Sequence, residues 1–170
     1  MNRILTEEHG FYQIDFNIAN EAYHLNEIYK TIENTLKDVD FIAETSDEIF
    51  LIEYKNTEVK GAKNQKINFD KLCYNVAMKY YGGAFYILSC KKNKPINFIF
   101  IFETTLMDSY VKDNLILQIN SKLPFKLQNR PEVKLNLINS FKVLSINEWN
   151  EQYPMFPLTE VTKELVCQNN

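Results

Sequence analysis

DFIAETSDEIFLIEYK, residues 40–55, is the stretch from which the rest of this chain can be read. Apolar residues on either side of a polar centre alternate as two strands, 39–45 and 48–56, joined at the two-residue turn Ser46-Asp47. Placing Thr45 opposite Glu48 sets the register, and that register carries Asp40 to a position opposite Glu53. Directly opposed side chains share a face with Cβ atoms roughly 5 Å apart, so two carboxylates are aimed at one spot. The period of two puts Lys55 on the face of Glu53. Phe50, Ile52 and Tyr54 point the other way, where a helix could cover them.

Two carboxylates that close raise each other's proton affinity unless a cation lies between them. Oxygen-only ligation suits Mg2+, with Mn2+ as its substitute. Mg2+ keeps several waters and takes one or two protein carboxylates plus substrate phosphate oxygens. The backbone carbonyl of Tyr54, between the two polar side chains, is a candidate further ligand. A metal there would lower the pKa of a bound water, and the Lys55 ammonium could orient that water or offset charge building on a phosphate. The implied chemistry is phosphodiester hydrolysis. The plainer alternative is a solvated strand face with a same-face charge pair. Residues 49–52 are apolar on both faces, however, which predicts a strand buried on both sides, where charges need a partner or a metal.

Asp40, Glu53 and Lys55, with the apolar-Glu-x-Lys run IEYKN at 52–56, resemble the signature of the PD-(D/E)XK nuclease superfamily, which includes restriction endonucleases and archaeal Holliday-junction resolvases. The resemblance spans about residues 20–90 and is concentrated in 40–55. It implies an α/β restriction endonuclease-like three-layer sandwich, a central mixed β-sheet flanked by helices. It also implies Asp40 and Glu53 as Mg2+ ligands, Lys55 as the water-positioning residue and DNA as the substrate. Many members of that superfamily carry a further acid on the first helix, for which Glu21 is the candidate here, although an acid at a helix start also simply complements the helix dipole. A glutamine or lysine of the second helix often faces the site, which draws attention to Gln65 and, further on, Lys71. One departure stands out: residues 36–40 are too few to hold the extra strand usually found between the first helix and the aspartate.

Outward from the hairpin, residues 11–17 alternate as a strand, and Ala22, Leu25, Tyr29, Ile32 and Leu36 recur at helical spacing over 20–36. A second helix is predicted over 64–81, stopped by Gly82-Gly83. Residues 84–90 and 96–103 then read as strands. They are followed by a helix over 105–121, a strand within 133–146 and a short helix over 147–151. The 170 residues, 45% hydrophobic and 14% aromatic, suffice for one domain over 1–170, with 153–170 expected as a loosely ordered tail.

Three widely spaced cysteines suggest neither a disulfide framework nor a zinc cluster, and His9 and His24 form no metal-ligand spacing. A cytoplasmic, reducing setting is expected. No apolar run approaches membrane-spanning length, and MNRILTEEHG is too acidic for a secretory signal. There is no nucleophile elbow and no glycine-rich phosphate loop. The formal net charge of −3 is not that of a protein gripping nucleic acid by bulk electrostatics. Lys60, Lys63 and Lys66 after the motif, and Lys91, Lys92 and Lys94 before Pro95, are the local basic groups that could meet phosphates. Trp149, Tyr153 and Phe156 read either as a base-stacking platform or as core. The rival to a nuclease is a non-catalytic scaffold or interaction protein retaining the fold, as a homodimer or with a partner protein. A further alternative is a nuclease subunit active only in a larger defence or repair assembly.

Overall fold

The computed structural model describes residues 3–30, 36–58 and 67–161. The chain opens with β1 (Ile4–Thr6), β2 (Tyr12–Asp15), β3 (Glu21–Tyr23) and the short helix α1 (Leu25–Tyr29). The hairpin β4 (Phe41–Glu44) and β5 (Ile49–Asn56) leads to the long helix α2 (Phe69–Ser89) and to β6 (Ile96–Glu103). Then come α3 (Ser109–Asn120), α4 (Phe125–Gln128), β7 (Ser140–Leu144), α5 (Ile146–Gln152) and β8 (Leu158–Glu160).

The central sheet has the order β3-β4-β5-β6-β7, antiparallel through the hairpin and parallel from β5 to β7. Parallel neighbours require crossovers, and α2 and α3 lie in the two that this sheet needs. On one face Leu51, Phe98 and Phe100 pack beneath Cys73, Val76 and Tyr80 of α2 and Ile119 of α3. On the other, Ile52, Ile99 and Ile101 pack beneath Trp149 of α5, together with Ile14 and Leu158 from a second antiparallel sheet, β1-β2-β8, and Phe16 just beyond β2. The result is a three-layer α/β sandwich in which one outer layer is helical and the other combines a helix with a small sheet. The described residues contain no helix long and apolar enough to cross a membrane.

The strand predicted over 96–103 forms as expected, and the helix at 147–151 forms with one further residue at each end. Three expectations change. First, the helix predicted over 20–36 begins instead as β3, with Glu21 paired to Glu44 and Tyr23 to Ile42, and helix follows only at Leu25–Tyr29. Pairing with the open edge of β4 outweighs helical spacing in so short a segment. The strand beside β4 therefore precedes the helix, and residues 36–40 hold no strand.

Second, α2 does not stop at Gly82-Gly83 but runs 21 residues through both and absorbs the strand predicted over 84–90. A short apolar run does not by itself distinguish a buried strand from a buried helix. Gly82 is needed for close approach: a Cβ there would lie 1.7 Å from the backbone oxygen of Lys37. The Tyr29 hydroxyl donates to the Gly82 carbonyl at 2.8 Å, completing the contact.

Third, residues 153–161, the described part of the segment expected as a tail, pack on the core. Phe156 and Leu158 are buried and β8 pairs with β2. Trp149 is fully buried, its Nε1 donating to the Phe156 carbonyl at 2.7 Å, so this aromatic group is core and not a stacking platform.

The N-cap of α2 is Asn68, whose side chain accepts from the Lys71 N–H at 2.9 Å. Asn68→Ala is expected to cost about 1 kcal/mol and to lower the thermal midpoint by about 2–4 °C, followed by circular dichroism. An unchanged midpoint would show that this cap contributes nothing.

Candidate active site

The hairpin has the register set out above, with Phe41 opposite Ile52 and Ala43 opposite Phe50, and the Thr45 N–H donating to the Glu48 carbonyl at 2.9 Å across the turn. Asp40, one residue ahead of β4, falls opposite Glu53. Its Oδ2 accepts the Tyr54 N–H at 2.7 Å, so the carboxylate is pinned across the strand end. The backbone of Asp40 is held as well: His24 Nδ1 lies 3.0 Å from its carbonyl oxygen, and the imidazole packs on Phe41 with centroids 5.0 Å apart. A carbonyl can only accept, so Nδ1 carries the proton.

Glu53 is 6% exposed. It faces α2, where Lys79 reaches down between the two acids, with Nζ 2.7 Å from Glu53 Oε1 and 3.6 Å from Asp40 Oδ1. Among the described residues Glu53 Oε2 is buried without a hydrogen-bond partner. Lys55 stands on the same strand face at the exposed end, and its charge acts on Glu53.

Burial pushes the Glu53 carboxyl well above its ordinary range, and the Asp40 charge adds to this, while Lys79 offsets only part. Asp40 is raised as well, by burial, against the pull of Lys79 and the Tyr54 N–H. For Lys79, burial acts downward, but the two carboxylates outweigh it and the net shift is upward.

The sign for stability follows. Carboxyls with raised pKa hold protons in the folded state that the unfolded chain has already released. Their contribution is complete below the ordinary carboxylate range and is lost as pH rises through the raised folded values. The Lys79 contribution persists to alkaline pH, being lost only above the ordinary lysine value. Metal-free protein is therefore expected to lose thermal stability as pH rises above the ordinary glutamate value of 4.5, and Glu53→Gln is expected to flatten that slope. Melting curves in chelator across the pH range check this; a wild-type midpoint that climbs over the same interval would overturn it.

The donors fit a hard divalent cation. Two carboxylates share one spot, and a buried carboxylate oxygen lacks a partner among the described residues. The carbonyl of Tyr54 projects to the same strand edge as its N–H, toward Asp40. Among the described residues no three or more His, Cys, Asp or Glu side chains converge to hold an ion, so water and substrate oxygens would have to complete the sphere.

Of the residues singled out from sequence, Asp40, Glu53, Tyr54 and Lys55 come together. Glu21 does not. It is a strand residue and not a helix-borne acid; it pairs with Glu44 at the turn end of the sheet and binds Lys92 at 2.6 Å. Lys92 and Lys94 both contact Glu44, which they hold below the usual carboxylate range despite burial, so these lysines are committed to the fold. Gln65, Lys60, Lys63 and Lys66 lie outside the described residues.

Lys79 is the residue that sequence reasoning missed. Its signal was a lysine three residues after buried Val76 and four before buried Gly83, on the core-facing side of α2. The helix predicted over 64–81 already held Lys79; that this turn of α2 lies over Glu53 comes only from the packing of α2 on β5.

Comparison with protein-family profiles, with characterised proteins and with solved structures found no match.

Proposed function

We propose that this chain is a Mg2+-dependent nuclease with a PD-(D/E)XK site on a restriction endonuclease-like fold, hydrolysing DNA phosphodiester bonds. The observation that carries the reading is the convergence of Asp40 and Glu53 on one point, with Lys55 on the same strand face, at the end of a hairpin whose second strand starts a parallel crossover. The strand order adds support, as does the buried Glu53 oxygen that lacks a partner among the described residues.

A metal held by Asp40, Glu53 and the Tyr54 carbonyl would supply a water of lowered pKa and polarise a phosphoryl oxygen. The chain's own residues do the rest. The Tyr54 N–H fixes the rotamer of Asp40, and the His24 contact fixes its backbone. Burial excludes bulk water from Glu53. Lys55, at the open end of the strand, orients the attacking water and offsets charge on the phosphate. The choice of DNA over RNA comes from the resemblance of the motif.

Purified protein incubated with plasmid, single-stranded DNA and RNA in Mg2+ or Mn2+ tests the proposal. Cleavage by wild type and its loss in Asp40→Ala, Glu53→Ala and Lys55→Ala, each shown to be folded, is the expected result. Cleavage of RNA alone would keep the chemistry and replace the substrate. Cleavage that survives all three substitutions would end the proposal.

One observation favours a second reading. Lys79 already spans both carboxylates, as in a centre that needs no metal, which suits a non-catalytic scaffold or a subunit working within a larger assembly. Calorimetric titration with Mg2+ separates the two: a catalytic centre binds and loses binding in Asp40→Ala, while a scaffold does not bind.

A further inference from the structure

We propose that Lys79 is the resident cation of the metal-free centre, and that its ammonium and a divalent ion exclude one another there. The inference rests on the two-carboxylate metal site proposed above and goes beyond it, assigning α2 a part in metal affinity and selectivity.

Geometry is the basis. A cation shared by Asp40 and Glu53 must lie between Oδ1 of one and an oxygen of the other, and that is where Nζ of Lys79 is found, 3.6 Å and 2.7 Å from the two acids. The remaining carboxylate oxygens differ. Asp40 Oδ2 is committed to the Tyr54 N–H, while Glu53 Oε2 has no partner among the described residues. An ammonium neutralises one of the two negative charges and leaves the other, together with an unsatisfied oxygen. A divalent ion could answer both. Placing it there without moving Lys79 would put three positive charges within contact distance, in surroundings where burial strengthens repulsion.

The lysine also has somewhere to go. Its side chain is 27% exposed, whereas that of Glu53 is 8% exposed, so the ammonium rather than the carboxylate can turn outward to water. Asp38 lies close enough to act on Lys79 electrostatically and offers it a third acidic partner.

Two consequences follow. A tethered ammonium competes with every incoming cation, and a monovalent ion gains nothing by replacing it, so the centre selects divalent ions. The apparent metal affinity is also reduced by the fraction of time the bridge is formed; a bridge present nine-tenths of the time lowers it about tenfold.

Mn2+ titrated calorimetrically into wild type and Lys79→Met, which keeps most of the length of the side chain and removes its charge, reads this directly. The expected result is binding about tenfold tighter in Lys79→Met, or binding detectable in that variant alone. Binding that is equal or weaker in the variant overturns the exclusion and leaves the metal site standing. No binding by either folded protein overturns both.

A measurement on wild type decides the matter even where Lys79→Met does not fold. Brief treatment with acetic anhydride, quantified at Lys79 by peptide mass spectrometry, is expected to label this residue several-fold faster in saturating Mn2+ than in chelator, with no such rise in Asp40→Ala. An unchanged or reduced rate in wild type overturns the proposal.

Discussion

On the proposed nuclease reading, Glu53→Gln is expected to lower phosphodiester cleavage by about a thousandfold or more, a loss of about 4 kcal/mol of transition-state stabilisation, while leaving the metal-free fold intact. The two effects separate because the substitution keeps the shape of the side chain and removes only its charge. In the absence of metal that charge is a liability: Glu53 is buried, its carboxyl is pushed well upward, and Oε2 has no partner among the described residues. The amide oxygen can still accept from Lys79, and two carboxylates no longer face each other. Thermal stability above neutral pH should therefore match or exceed that of wild type. In a metal-loaded centre the same charge is needed to hold the ion. Measured together, rate and melting midpoint distinguish a residue kept for chemistry from one kept for folding. Retention of cleavage within tenfold of wild type would remove Glu53 from the site.

Gly82→Ala is expected to be the most destabilising single-methyl change in the helical layer, costing at least about 3 kcal/mol and lowering the melting midpoint by about 6–12 °C. The added Cβ would lie 1.7 Å from the Lys37 backbone oxygen, a separation that no rotamer change can relieve, because the backbone fixes the Cβ and its neighbour is main chain. The segment from Lys37 to Asp40 would have to move off α2. Asp40 sits at the end of that segment, so the displacement would carry it away from Glu53 and Lys79, and cleavage would fall together with stability. Gly83→Ala is the matched control. The atoms nearest its Cβ would be Leu51 methyl carbons at 3.0 and 3.2 Å and the Val39 side chain at 3.4 Å, groups that can shift. It would also recover about 1 kcal/mol of helix propensity. Equal midpoints for the two variants would show that the approach of Lys37 to α2 is not what Gly82 provides.

Seen from these two positions, the division between local and long-range information is clear. The hairpin was legible in the letters because its determinants are local: a short polar turn, a period of two that assigns each side chain to a face, and a register that follows from the turn. Asp40, Glu53 and Lys55 were found together for that reason, and the strand at 96–103 for the same one. What failed depended on neighbours distant in sequence. Glu21 lies in a strand because an edge of β4 was open to it, which helical spacing cannot reveal. Gly82-Gly83 looked like a helix stop because glycine commonly is one, yet here it makes room for a backbone more than forty residues earlier in the chain. Lys79 is the same kind of case: only the packing of α2 on β5 delivers its ammonium to a pair of acids that the hairpin had already assembled. By itself, then, the sequence determined where the two carboxylates meet, since turn chemistry and strand periodicity act over a few residues. Only the tertiary structure decided which cation stands between them, since that depends on how closely a helix and a distant backbone segment can approach.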